Sequence, residues 1–146
     1  MLALPRGSEL LYRVVFTSEA VGSTGRTTLS VAEILGASER NNRRDEIGSV
    51  MLVRDGRIAQ MAEGMRGDLD RLLSRLSCDA RHRNLKVVGD RPVMQRRLKE
   101  PMRLCGLDAA EVEAFTRGRP LDHLSADELE RLLGACRNLG SAARAA

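Results

Sequence analysis

The chain has 146 residues, 42% of them hydrophobic and 30% charged, with a formal net charge of +4; this suffices for the core of one compact domain. No apolar run approaches the roughly 18 residues of a membrane-spanning helix, and the opening Met1–Pro5 is too soon broken by proline for a signal peptide, so a cytoplasmic protein is expected. The cations, nearly all arginine, are spread along the chain apart from Arg43-Arg44 and Arg96-Arg97, which describes a solvated surface better than a nucleic-acid stripe.

In chain order, residues 10–17 (LLYRVVFT) are rich in β-branched, aromatic and aliphatic side chains and read as a buried strand. A Gly/Ser/Thr loop over 21–28 follows. Ser30-x-x-Glu33 reads as a capping box, with Val31, Ile34 and Leu35 on one helical face and the helix ending near Arg40. Asn41-Asn42 then fall just past it, where asparagine tolerates a left-handed backbone. Residues 47–53 and 57–63 are two strands, and Asp55-Gly56 between them predicts a type I′ hairpin, whose central residues both need positive φ.

Asp68 is the expected N-cap of a helix over 68–77, with Leu69, Leu72, Leu73 and Leu76 repeating at helical spacing. A short strand over 85–88 and another over 94–104, put at an edge by Pro101, complete the order β-α-β-β-α-β-β. This is an α+β, ferredoxin-like arrangement with two helices on one face of the sheet. Asp108-x-x-Glu111 and Ser125-x-x-Glu128 are two further capping boxes, opening helices over 109–117 and 126–137. The apolar stripe Leu129, Leu132, Leu133, Cys136 must be buried on the free sheet face or on a second subunit. The expected organisation is thus a tail over 1–9, a ferredoxin-like domain over 10–104, a helical pair over 105–140 packing on the sheet or a partner, and a tail over 141–146.

Three cysteines, Cys78, Cys105 and Cys136, lie far apart without a C-x-x-C and read as buried, reduced thiols. The two histidines, His82 and His123, have no nearby serine or cysteine in a triad-like pattern, and no metal-ligand spacing occurs.

Five segments in order resemble the BLUF family, sensors of blue light that use FAD. They are Leu11-Tyr12-Arg13-Val14-Val15-Phe16-Thr17-Ser18, like its L-Y-R-L-x-Y-x-S; Ile34-Leu35 with Ser38 through Asn42, like I-L…S-x-x-x-N; and Ile47-Gly48-Ser49-Val50-Met51-Leu52-Val53, like I-T-G-x-L-L-Y. Gly56 through Gly64 resembles G-x-F-x-Q-x-L-E-G, and Asp79-Ala80-Arg81-His82 resembles D-x-R-H. The resemblance covers about 10–104. It implies an FAD isoalloxazine ring held between the two helices, with Asn42 at the flavin carbonyl region and Gln60 near N5 and O4. Asp79, Arg81 and His82 would then stand beside the pyrimidine edge, and Met102 beside the glutamine. A neutral amide suits the switching role because it offers donor and acceptor at once.

The departures are as telling. The family's light chemistry begins with a strand tyrosine that bonds the glutamine, and Phe16 stands in its place. Tyr12, the only tyrosine, is four residues upstream, roughly 13 Å along a strand. There is no tryptophan, Gly48-Ser49 replaces the usual Thr-Gly, and Ala59 and Ala62 replace larger residues of the pocket. The expectation is a non-enzymatic sensory or regulatory protein on a degenerate BLUF scaffold, acting by contact with a regulatory protein partner or a second copy of itself. The alternative is an FAD-binding blue-light or redox sensor of altered chemistry. Membrane and nucleic-acid partners are not expected; the few aromatics make no RNA-stacking platform.

Overall fold

The computed structural model describes residues 10–21 and 28–136, the side chains of 28–35 excepted. The expected tails, the loop over 21–28, the Ser30 capping box with its apolar face, and Arg137 lie wholly or mostly outside the described residues. Within them the chain runs β1 (Leu11–Ala20), α1 (Thr28–Arg44), β2 (Gly48–Arg54), β3 (Arg57–Met65), α2 (Arg66–Ser77), β4 (His82–Val93), β5 (Arg103–Leu104), α3 (Ala109–Thr116), a 3-10 turn at Leu121–His123, and α4 (Ala126–Gly134). The strands form one sheet in the order β4-β1-β3-β2-β5. β1 pairs antiparallel with β3 and β4, β2 antiparallel with β3 and parallel with β5. This is the α+β, ferredoxin-like arrangement. No described helix is long and apolar enough to cross a membrane.

Strand alternation divides the core into two layers. Val14 and Phe16 of β1, with Ala62 and Ile47, pack under Leu69, Leu72 and Leu76 of α2. Val15, Val50, Leu52, Ala59 and Met61 point the other way and are covered by Val112, Leu121, Leu124, Leu129, Leu132 and Leu133. The C-terminal helices therefore bury their stripe on the sheet face opposite α2. Each such leucine contributes about 1.5–3 kcal/mol by leaving water. Ala59 belongs to this second layer, so of the two small residues only Ala62 lies on the α2 side.

The hairpin forms as its residues demand, with φ of 52° at Asp55 and 74° at Gly56. Both C-terminal capping boxes are present, each side chain and backbone N–H satisfied reciprocally. Other boundaries moved. α1 continues through Arg44, so Asn42 lies inside its last turn, and the left-handed residue is Glu46, φ 54°. Ile47 N–H donates to Asn42 O at 2.8 Å and Glu46 N–H to Arg43 O at 3.4 Å, a Schellman closure. Hydrogen bonds from the Asn42 side chain outweigh its weak helix propensity. α2 starts at Arg66 with Met65 at the cap position; Asp68 is not the cap but pairs with Arg71 in the first turn.

β4 spans His82–Val93 rather than four residues, because an exposed edge strand paired only to β1 leaves no apolar pattern in its sequence. Of the strand expected over 94–104 only Arg103–Leu104 pairs. The segment before it is held by a side chain instead: Glu63, wholly buried, accepts the backbone N–H groups of Arg97 and Leu98 on Oε1, both at 2.7 Å. Its Oε2 accepts from Arg13 Nε at 2.8 Å and Nη2 at 2.5 Å. Arg13 Nη1 continues to Glu130 of α4 at 2.5 Å, and Arg91 meets the same carboxylate.

The cysteines correct the sequence reading. Cys105, at the end of β5, and Cys136, past α4, form a disulfide, and Cys78 is exposed. The folding of the helical pair back over the sheet brings together two thiols that sit 31 residues apart.

Candidate functional site

On the α2 side of the sheet three strands place three side chains in one row. Phe16 of β1 is the register partner of Gln60 of β3, and Gln60 of Met51 of β2. All three are buried, and Phe16 offers the Gln60 amide no hydrogen-bonding atom. Met102 packs against the Met51–Ile58 cluster beside this row.

One step along β2, Ser49 faces the last turn of α1. Asn42 Nδ2 donates to Ser49 Oγ at 3.1 Å and to the Pro101 carbonyl at 2.8 Å. Ser49 Oγ donates to the same carbonyl at 2.7 Å and lies 3.4 Å from Met102 Sδ. Asn42 is 1% exposed, and its Oδ1 is buried without a partner.

At the other end of the row Ser18 shares a face of β1 with Phe16, two residues or about 7 Å away. Ser18 Oγ lies 3.1 Å from His82 Nδ1, while His82 Nε2 is buried without a partner. Burial holds the imidazole below its usual pKa, with Asp79 pulling the other way. Asp79 is taken up by Arg81, which reaches it from Nε at 3.0 Å, Nη2 at 2.8 Å and its own backbone N–H at 2.9 Å. That guanidinium keeps the Asp79 carboxyl below the ordinary carboxylate range.

The structure thus sets Phe16, Gln60, Asn42 and Met102 on one side of the sheet, with His82 beyond Ser18 and Asp79–Arg81 in the turn before β4. Tyr12 stays out of reach of Gln60: it is paired with Gly64 across β3 and carries the Arg66 guanidinium 4.7 Å above its ring. Ser18 and Ser49 were missed as site residues. Ser18 closes the first motif, and Ser49 was visible only as a swap with Gly48. No cluster of three metal-ligating side chains occurs among the described residues.

The donor set fits a flavin. Two buried polar atoms without protein partners, Asn42 Oδ1 and His82 Nε2, lie on the same side of the sheet as a buried amide, and the pyrimidine edge of a flavin carries carbonyls and an N–H. The family model for sensors of blue light using FAD matches residues 11–102. The chain belongs to the BLUF family. Among solved structures the BLUF fold here is similar to "BlsA photo-activated state" at TM-score 0.77 and 20% identity, covering 88% of this chain and 97% of that one. It is also similar to "BlrB - a BLUF protein, dark state structure" at TM-score 0.71 and 24% identity, covering 86% and 92%. A third, a bacterial light-regulated adenylyl cyclase, matches at TM-score 0.65 and 19% identity over 87% of this chain and 40% of its own. No curated protein matches the sequence.

Proposed function

We propose that this BLUF chain is a non-enzymatic sensory or regulatory protein that signals by contact with another protein and does not run a tyrosine-driven light switch. The observation that carries the reading is the register pairing of Phe16 with Gln60. A phenyl ring has no O–H: it neither donates to the amide nor releases a proton after losing an electron, so nothing on β1 drives Gln60 to rearrange.

The polar residues around the row support retention of FAD. Asn42 and His82 each keep a buried atom without a protein partner, Gln60 stays buried beside them, and Arg81 is fixed by Asp79. Bound FAD supplies a blue-absorbing ring and an electron acceptor. With it in place the protein is a flavin sensor of altered, redox-type chemistry, the second reading.

An acid–base role for the Ser18–His82 pair, which the fold creates and the sequence did not suggest, is unsupported: Nε2 meets no carboxylate, and Ser18 is 3% exposed. The contact surface proposed for the partner is the outer side of α3 and α4 with the neighbouring 94–97 segment, where Met94 is 97% exposed.

The test is spectroscopic. The protein reconstituted with FAD should show a flavin absorbance band in the blue and no reversible red shift under blue light. A reversible shift in the unaltered protein would end the reading of Phe16. A pull-down repeated in darkness and in light should return the same partner in both.

A further inference from the structure

Residues 91–99 carry four cations, Arg91, Arg96, Arg97 and Lys99, and no acid. The flavin cradle uses none of them. β4 ends at Val93, and the loop that follows is fixed from inside by Glu63, which accepts the N–H groups of Arg97 and Leu98. The other oxygen of that carboxylate is occupied by Arg13, and Glu130 of α4 is shared between Arg13 and Arg91. Elsewhere on the surface arginines are matched by carboxylates, Arg83 by Glu19 and Arg119 by Glu128. Arg97 and Arg131 are exposed, and among the described residues neither guanidinium has a hydrogen bond or an ion pair.

These two face one groove between the loop and α4, of about 570 Å³, which Arg91, Asp127 and Glu130 also line. Three guanidinium groups thus meet two carboxylates, one of them already shared with Arg13. An adjoining groove of about 330 Å³ has Arg91 and Arg97 in common with the first and is walled by Pro92, Val93 and Met94, the last almost wholly exposed. No aromatic side chain lines either groove, so single-stranded RNA would find charge there and nothing to stack on.

Resting on the reading that this chain signals by contact with another protein, we propose that the joined grooves dock an acidic segment of that partner. Its carboxylates pair with Arg97 and Arg131, and an apolar side chain between them covers Met94. A guanidinium fork matches a carboxylate. Because Glu63 already holds the backbone that displays Arg97, little ordering is left for binding to impose.

The probe is a labelled peptide with runs of aspartate on both sides of a leucine, compared with its twin carrying asparagine for every aspartate, by fluorescence anisotropy on the full chain. The acidic peptide should bind at least about tenfold more tightly, the size of a few exposed ion pairs acting together, and the advantage should shrink as salt is raised. Arg97→Gln with Arg131→Gln should remove most of the advantage. Arg117→Asn, which deletes a cation beside the Gly118 that adjoins the Asp55 hairpin, should leave it unchanged. Met94→Ser should weaken the acidic peptide severalfold. Equal binding of the two peptides overturns the proposal, as does an advantage that ignores salt or that Arg117→Asn reduces as much as the paired substitution. A leucine that Met94→Ser does not weaken overturns its apolar half. A single-stranded RNA that binds more tightly than the peptide and depends on the same two arginines overturns it in favour of nucleic acid, and self-association that depends on them overturns it in favour of a second copy.

The pull-down separates the two readings. A partner that the unaltered chain and the Arg97→Gln, Arg131→Gln chain capture equally overturns the groove and leaves signalling by contact intact. If the unaltered chain captures nothing, the contact reading fails and with it the docking role, even where the peptide binds.

Discussion

At position 16 the distinction between tyrosine and phenylalanine is one hydroxyl, and the fold leaves that hydroxyl nowhere else to come from. Phe16 is wholly buried opposite Gln60, and Tyr12 is held under Arg66. Phe16→Tyr, in protein loaded with FAD, should therefore show a blue-light difference spectrum that the unaltered chain lacks. If the variant binds FAD and stays inert, the loss lies elsewhere in the cradle. His82 provides a second residue-level prediction. Burial lowers its pKa, so on acidification the unfolded chain takes up the proton first, from its ordinary value near 6.5. Stability is then full above that pH and declines as pH falls toward the lower folded-state value. Urea midpoints measured between about pH 7 and pH 5 should fall for the unaltered chain, and the slope should flatten in His82→Gln.

Elements could be read from the sequence where a local rule decides them and not where a tertiary contact does. Asp55-Gly56, Asp108-x-x-Glu111 and Ser125-x-x-Glu128 all form as their side chains dictate, because turn and cap chemistry acts within four residues. The segment after β4 did not become the expected strand. Its N–H groups at Arg97 and Leu98 are satisfied by Glu63, 34 and 35 residues away, and no local pattern records that. The same reach explains α1. Asn42 stays helical because its side chain is anchored on Ser49 and Pro101, which periodicity does not record, so the pattern misplaced the end of its helix. Glu63 and Arg13 are both buried, and removing one partner leaves the other charge unpaired. Glu63→Gln should lower unfolding free energy by roughly 3–5 kcal/mol, read from urea denaturation, and should loosen the 96–101 segment in hydrogen exchange.

At the scale of the molecule, the sheet separates a polar cradle on the α2 side from a layer sealed by α3 and α4, and the Glu63–Arg13–Glu130 chain of ion pairs crosses from the closing segment to α4. The disulfide adds a covalent tie between the same two regions. In the chain-entropy picture a closed loop of this length contributes about 3–4 kcal/mol, so Cys105→Ser, or reduction of the native protein, should lower the thermal midpoint by several degrees without changing the helical content seen by circular dichroism. Neither thiol could be paired from the sequence, because their proximity depends on where two helices land.

The tie also changes what a cut in the backbone means. Cys105 and Cys136 bracket the exposed turn at Arg117 and Gly118 between α3 and α4. Trypsin cleaving after Arg117 would open the ring without parting the molecule. The nicked protein should migrate as one species on a non-reducing gel and resolve into two pieces once a thiol reductant is added.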